Sequence, residues 1–556
     1  MDYLSKGEVS KLFRCACVRR WLPLAYREEL YHVLRLTGPL VSRGKLNFLL
    51  PFVITIFCGH IGNAELAGYA LASATINLTT TSTGYGLTVA CDTLISQTFG
   101  SKNMKRVGVI LQRSSLILLL FCLPCWALLI NSYNLLRSYI LAEIVLFLKN
   151  ICLSLQQAMF LHQLQVTYLQ NQGIILPQMY TAAAANIFNL GVNYVLIISL
   201  QLGVVGSAIA NGLSQIIICL LLFAYIRWRK LHVQTWGGWS TECLQEWGSY
   251  MKLAIPSVFM ICFEWWIWEI GGFLAGSLGE VDLAAQHVIL ELSAITYMFP
   301  LGVYAAACVR VGNALGAGNT ARAIVTCKVS LFLSGVLAVL QGIVIASSKS
   351  VIGYIFTSDD PCVEGYTELF ACFCVCSGIL VGAGMQKIAA FSNLVSYYCI
   401  GLPVGIALMF AAQLRTLGLW LGLLICVILE MGFFLVLIFK LDWKKVTRKA
   451  QMDGEEAPTT EGYSSVNTQD QEVKVVHESK NTAKSKPQEP LSVTQLILRR
   501  GLTVLISVLI LAVGVGFHIA FPAPEPSAHI RANFTLNWAN DSTPTPLLPL
   551  DLTTNQ

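Results

Sequence analysis

Apolar residues in this chain neither alternate nor recur on short amphipathic faces. They run in blocks long enough to cross a bilayer, which takes roughly 20 residues of helix, and short polar joints separate them. The clearest block, Ile174–Ile226, holds no Asp, Glu, Lys or Arg and is long enough for two spans hinged near Gln201–Gly206. Further charge-free blocks cover Leu66–Cys91, Ser114–Leu136, Val329–Ser348, Ile388–Leu414 and Gly501–Pro522. Weaker blocks, each interrupted by an acid or base, fall near 38–58, 140–169, 251–278, 283–308, 366–386 and 416–439. The pattern predicts thirteen spans and an all-α polytopic membrane protein.

Composition agrees with the pattern. Of the 556 residues 55% are hydrophobic and 12% charged, and the mean hydropathy is +0.63. Soluble domains carry about 25% charged residues, so a soluble enzyme, a nucleic-acid binder or a disordered scaffold is excluded as the whole answer. The first 37 residues are mixed and charged, which is unlike a cleavable signal peptide.

The net charge of +6 matters only through its placement. Lys6, Lys11, Arg14, Arg19, Arg20, Arg27 and Arg35 crowd the N-terminal segment. Alternate loops then carry Lys102/Lys105/Arg106, Arg227/Arg229/Lys230, Arg310/Arg322 and Lys440/Lys444/Lys445, while Gly59–Glu65 and Gly279–Asp282 carry no base. By the positive-inside rule the N-terminus is expected in the cytoplasm, and thirteen crossings place the C-terminus outside. The sequons Asn533-Phe-Thr and Asn540-Asp-Ser in the tail need a lumenal face and point the same way.

Two patches repeat. GHIGNAELA at 59–67 resembles GSLGEVDLA at 276–284, and SQTFGSKN at 96–103 resembles GNALGAGN at 312–319, at shifts of 217 and 216. Six spans lie between equivalent points, an even number, so duplicated halves would share one orientation and be related by an axis along the membrane normal. Two six-helix lobes around a midplane cavity is a transporter architecture. The expected organisation is a cytoplasmic N-terminal segment (1–37), an N-lobe (38–226), a cytoplasmic connector (227–250) and a C-lobe (251–440). A polar stretch too poor in apolar residues to form a core follows as a disordered cytoplasmic linker (441–499), then a thirteenth span (500–522) and an extracellular tail (523–556).

Ionisable residues inside spans are costly, roughly 2.5–3.5 kcal/mol each on insertion scales, and are functional candidates by default. The densest group is Cys262-Phe-Glu264-Trp265-Trp266-Ile-Trp268-Glu269 in span seven, with Glu291 in span eight. Glu264 and Trp268 share a helix face, as do Trp265 and Glu269. A carboxyl in so dry a place can hold either a proton or a cation. Indoles offer π faces to an organic cation, and Tyr297 extends the cage from span eight. An interfacial tryptophan belt is the plainer alternative. Glu430 in span twelve has no aromatic cluster and reads as structural; Asn77, followed by Thr79–Thr83, is open between a site and helix–helix hydrogen bonding.

Most of the 18 cysteines stand singly in apolar runs and read as small hydrophobes. Cys372, Cys374 and Cys376 alternate sides of a helix and cannot share a metal. No nucleotide-binding loop occurs, since Gly312-Asn-Ala-Leu-Gly316-Ala-Gly318 lacks the lysine and hydroxyl. Transport would then run on an ion gradient or be passive, with no cofactor, and the chain is expected not to be an enzyme.

The chain resembles the vertebrate multidrug and toxin extrusion (MATE) proteins. The resemblance is carried by FCGHIGNAEL (57–66), ACDTLISQTFG (90–100), VGVILQRS (107–114), YLQNQG (168–173), TWGGWS (235–240), EWWIWEIG (264–271), VRVGNALGAG (309–318) and GLPVGIALMF (401–410). It implies a twelve-helix core in two lobes related by pseudo-two-fold symmetry, plus a thirteenth helix. The resemblance also implies a monomeric, proton-driven exchanger of organic cations such as drugs and guanidines, working at an apical plasma membrane. The family's site carboxylates correspond to Glu264, Glu269 and Glu291, its FCGH cysteine to Cys58 and its polar span-two position to Asn77. Three stretches depart from the family pattern. They are Ser42-Arg43-Gly44-Lys45, the 134–157 segment with Arg137, Glu143 and Lys149, and span ten, where Phe370 stands at a glutamate position. A family member that does not transport is thus a second reading, and a lipid head-group flippase, which would want a basic cavity, a third.

Overall fold

The computed structural model describes residues 23–61, 73–131, 142–200, 202–355, 361–455 and 492–521. The side chains of Cys58, Glu291, residues 142–155 and residues 361–371 are outside that description, as are Asn533 and Asn540. Each expected span overlaps a described helix, although 66–72 of the second and 132–136 of the third lie outside the described residues. The helices are α1 (Leu24–Ile61), α2 (Ser82–Gly100, entered through a π-helical turn at Asn77–Thr81), α3 (Met104–Ile130), α4 (Ala142–Asn171), α5 (Leu176–Asn193, running on through a π turn at Tyr194–Ser199) and α6 (Gly203–Trp228). After a connector come α7 (Trp247–Leu278), α8 (Glu280–Gly316), α9 (Thr320–Ile355), α10 (Pro361–Gly382), α11 (Gln386–Ala411, with π turns at Leu394–Gly401 and Ala407–Ala411) and α12 (Arg415–Lys440). Two more helices follow, α13 (Trp443–Glu455) and α14 (Val493–Ala520). Among the described residues, ten of these are long and apolar enough to cross a membrane.

The duplication is written in the backbone. The Ser101 amide donates to Gln97 O at 3.1 Å, and 216 residues on the Ala317 amide donates to Asn313 O at 3.0 Å. Asn103 Oδ1 caps α3 through the Arg106 amide, and Asn319 Oδ1 caps α9 through the Arg322 amide, at the same spacing. Lys102 and Gly318 both take positive φ, 64° and 73°, at this turn. A second matched pair closes the π turns of α5 and α11. Leu200 N bonds Val195 O and Leu202 N bonds Leu196 O, while 212 residues later Ala412 N bonds Ala407 O and Leu414 N bonds Leu408 O. The earlier sequence patch at 59–67 is mostly outside the described residues.

The lobes meet along α2 and α8. A Cβ on Gly100 would collide with the carbonyl of Asn313, and one on Gly316 with the carbonyl of Gln97. Gly100 and Gly316 are repeat equivalents, and so are Gln97 and Asn313, so the contact is reciprocal across the pseudo-two-fold axis. Only glycine lets two helix backbones approach this closely. Gln97 Nε2 also donates to Gly382 O at 3.1 Å, Thr93 Oγ1 to Val381 O at 2.8 Å, and Gln386 Nε2 to Thr93 Oγ1 at 2.6 Å. These bonds tie α2 of one lobe to α10 and α11 of the other.

Two expectations at the chain's polar ends are corrected. The segment 1–37 was expected to precede the first span, yet α1 begins at Leu24 and its first turns are anchored. Glu29 is buried and accepts from Arg310 Nε at 2.7 Å, Arg310 NH2 at 2.6 Å, Arg322 Nε at 3.3 Å and Thr326 Oγ1 at 2.9 Å, fastening α1 to α8 and α9. The linker expected at 441–499 begins with a helix. Trp443, Thr447 and Ala450 are buried at helical spacing beneath a basic outer face. Composition alone hid this stripe, because three well-spaced residues suffice for docking on a ready surface. The Thr447 and Thr320 hydroxyls are 2.9 Å apart; Gly454 rests on Ser101 and Gln451 on Gly318. Helix α13 therefore touches the equivalent turns of both lobes.

The connector is pinned to α3. Gln112 holds Gly238 O and Ser240 N at 2.7 and 3.1 Å, and Glu246 pairs with Arg113 and Arg106 at 3.2 and 3.5 Å. Helix α14 leans on α3, where Asn131 Nδ2 donates to Gly514 O at 2.9 Å. Arg500 bonds Leu244 O at 2.8 Å and lies over the Trp247 ring. The outer face of α14 is apolar and exposed, as a lipid-facing helix requires. Of the three atypical stretches, the first is accommodated: Arg43 NH1 donates to Gln178 Oε1 at 3.2 Å, and Lys45 Nζ lies 4.2 Å from the centroid of the Phe299 ring.

Replacing Gly316 by alanine is expected to force α2 from α8, at about 1–3 kcal/mol, and to lower the melting midpoint of the solubilised protein in fluorescence-detected size-exclusion chromatography. Gly237→Ala, whose added methyl meets open space, is the control and should leave the midpoint alone. Equal midpoints for the two variants would show that the helices are not held at contact.

Candidate acidic aromatic cavity

A cavity of about 270 Å³ opens between the π turn ahead of α2 and the middle of α7 and α8. Helix α7 supplies Glu264, Trp265, Trp266, Trp268 and Glu269, and the π turn supplies Asn77 and Leu78. Helix α8 supplies Leu290, Ser293, Ala294, Thr296, Tyr297 and Pro300. Residues 290, 293, 297 and 300 recur every three or four positions, so one face of α8 forms the wall.

The π turn has a local cause. Thr79, Thr80, Ser82 and Thr83 each donate a hydroxyl to the carbonyl four residues back, at 2.7–3.2 Å. Such back-bonding competes with the regular ladder and loosens it. Leu78 O accepts both from Ser82 Oγ and, at 2.9 Å, from Trp266 Nε1, which fixes that indole at the cavity edge. Cys262 Sγ reaches Ser82 Oγ at 3.6 Å on the same seam.

The other rings are braced from behind. Trp265 stacks on Tyr85 of α2, with centroids 5.5 Å apart and planes 26° from parallel. Trp268 leans on Trp420 of α12 at 5.8 Å, and Trp420 Nε1 donates to Gln286 Oε1 at 2.9 Å. The Tyr297 hydroxyl lies 3.8 Å from Cys374 Sγ on α10. Rings held this way present faces to the cavity at little entropic cost on binding.

Glu264 is buried, at 8% exposure, and Glu269 is half-buried. Among the described residues the cavity wall contains no Lys, Arg or His, and neither carboxyl is bonded to a base. Two acids facing aromatic rings with no compensating base make the cavity electronegative. It is suited to a desolvated organic cation, which a carboxylate and indole faces hold together.

Of the residues singled out in the sequence, the fold brings Glu264, Glu269, Trp265, Trp268, Tyr297 and Asn77 into this one cavity. Glu291 lies on α8 beside Leu290, with its side chain outside the described residues, as is that of Cys58. Asn77 lines the cavity wall beside Leu78. Sequence reasoning placed Trp266 in the cluster but gave it no part in the cage, since its position depends on the Leu78 carbonyl; it missed the polar pair Ser293 and Thr296, which the α8 periodicity leading to Tyr297 could have supplied.

Comparison with known proteins places these features. The MatE family profile matches residues 39–195 and 256–407, more than half of the chain. Multidrug and toxin extrusion protein 1 of Danio rerio is 47% identical, covering 92% of this chain and 94% of its own length. The human protein of the same name is 44% identical over 88% of this chain and 93% of its own. Among solved structures, the eukaryotic MATE transporter AtDTX14 superposes with a TM-score of 0.73 at 26% identity, covering 77% of this chain and 99% of that one.

Proposed function

Since the chain belongs to the multidrug and toxin extrusion family of transporters, which are not enzymes, we propose that it exchanges external protons for internal organic cations through the α2–α7–α8 cavity. The observation that carries the reading is a wall with two carboxyls, three indoles and, among the described residues, no base. Glu264 and Glu291 alternate between proton and cation, Glu269 supports them, and Trp265, Trp268 and Tyr297 shape the cage. A lipid-linked phosphate would meet two carboxyls there and, among the described residues, no base, which argues against a flippase.

The cycle follows from charge and lobe packing. Organic cation and proton compete for one negative charge, so cation binding weakens as the pH of the facing compartment falls. An acidic exterior thus discharges the cation and loads the proton. In the conformation described, the α2–α8 contact lies at the end bearing Lys102, Arg310 and Arg322, the cytoplasmic side by the positive-inside rule. It is the state from which cation leaves and proton enters. Rocking of the two lobes about this contact gives the opposite state. One chain contains both lobes and the cavity, so a monomer suffices. The expected location is a plasma membrane, apical in a polarised cell, with the N-terminus inside and the sequon-bearing tail outside.

Glu264→Gln should reduce proton-driven uptake of tetraethylammonium into proteoliposomes at least tenfold, and normal uptake by a well-folded variant would remove Glu264 from the mechanism. Trp265→Ala loses a cation–π contact of about 0.5–2 kcal/mol and should weaken apparent affinity about two- to thirtyfold, read as KM with kcat largely kept. Expressed in a glycosylating cell, the chain should lose mass on N-glycosidase treatment, and Asn533→Gln with Asn540→Gln should abolish that loss. An unglycosylated wild type, unable to be labelled at its C-terminus on intact cells, would reverse the proposed orientation.

A further inference from the structure

Glu430 lies outside the cavity and was read from the sequence as structural. Its surroundings do not fit that role. It belongs to the inward stripe of α12, with Leu423, Cys426, Val427 and Phe434, positions that elsewhere hold apolar side chains. It is fully buried, and both carboxyl oxygens lack a hydrogen-bond partner among the described residues. A structural acid would be matched by a base or by donors, because an unmatched buried carboxylate is strongly destabilising.

Each element packed on this face of α12 contributes identifiable groups. Helix α7 contributes Glu264, on a segment held to α12 by Trp268 against Trp420 at 5.8 Å and to α11 by Asn393 Nδ2, which donates to Met260 O at 3.0 Å, one turn before Glu264. Helix α11 also contributes Ser392, next to Asn393. Helix α10 contributes Phe373, stacked on Phe434 at 5.6 Å, and Cys374, 3.8 Å from the Tyr297 hydroxyl. On α12 itself Cys426 stands one turn earlier. Arg415, at the start of α12, is paired with Asp282 at 2.7 Å. Across the contact of α7 with α12, a carboxyl of the cation cavity thus has a second carboxyl that is unmatched among the described residues.

We propose that Glu430 is a second proton-carrying carboxyl of the C-lobe that titrates jointly with Glu264, so that the pair, and not Glu264 alone, sets how cation binding responds to pH. This rests on the reading of Glu264 as a cation-binding carboxyl. When a cation settles on Glu264 its O–H bond breaks and the proton passes to cavity water. Glu430 keeps its own proton, because two ionised carboxylates buried in one lobe repel. Ionisation of either holds the proton on the other, and the titration belongs to both.

The test is the external-pH profile of tetraethylammonium uptake by proteoliposomes carrying the full chain. Wild type and Glu430→Asp should need one more titrating group to fit the profile than Glu430→Gln does. The Glu430→Gln profile should have a midpoint displaced by about half a pH unit or more and KM at the plateau within about threefold of wild type. A Glu430→Gln profile superimposing on wild type overturns the proposal. Should the amide fail to fold, pH-difference infrared spectra decide it: Glu430→Asp must shift one protonated-carboxyl band, and no shifted band overturns the proposal equally. Glu264→Gln separates the two readings. If it still binds the cation, the assignment of the cavity fails. If it loses binding while Glu430→Gln behaves as wild type, the inference about Glu430 alone fails.

Discussion

The architecture depends on one close approach, the backbone contact of α2 with α8 through Gly100 and Gly316. Two lobes of a membrane protein gain little from burying apolar surface against one another, since lipid is as apolar as leucine. Contact and backbone hydrogen bonding must hold them, and both need helices unobstructed by side chains. The reciprocal placing of Gly100 on Asn313 and Gly316 on Gln97 lets one local solution serve twice. The bonds from Gln97 and Thr93 to Gly382 and Val381 extend the join to α10. The ion cluster at Glu29 and the straddling helix α13 brace the same end of the molecule.

With one end closed, the position of the cavity follows. Trp265 is braced by Tyr85 from the opposite lobe and Trp266 by the Leu78 carbonyl, so the α7 wall is shaped by lobe contact and by its own sequence together. Among the described residues the acids are left without bases by the same packing. Arg310 and Arg322 are spent on Glu29, Arg113 on Glu246 and Arg415 on Asp282. The negative character of the cavity is as much a product of where the arginines are tied as of where the glutamates lie.

Much of this was legible in the chain. Charge-free runs mark the spans because lipid tolerates little else, and the cluster Glu264–Glu269 is conspicuous because buried acids are costly. The repeat surfaced where its function is most constrained, at the α2–α3 and α8–α9 turns. What escaped depends on partners distant in sequence. Glu29 looked like one more charge in a polar leader, and only Arg310, 281 residues away, makes it an anchor. The stripe Trp443, Thr447, Ala450 is too short to outweigh the lysines around it. Glu430 was assigned from its lack of aromatic neighbours, whereas the telling feature, its unmatched oxygens, exists only in three dimensions.

The glycine seam also fixes the geometry of leverage. Helix α8 has 37 residues, so its far end lies about 55 Å from Gly316 at 1.5 Å per residue. With the seam as fulcrum, a tilt of about 10° displaces that end by nearly 10 Å, several times the width of a water molecule. The lobes therefore need change their packing only slightly at the pivot to open or shut a mouth at the opposite face, and a methyl group added at the pivot would be felt most at the end furthest from it.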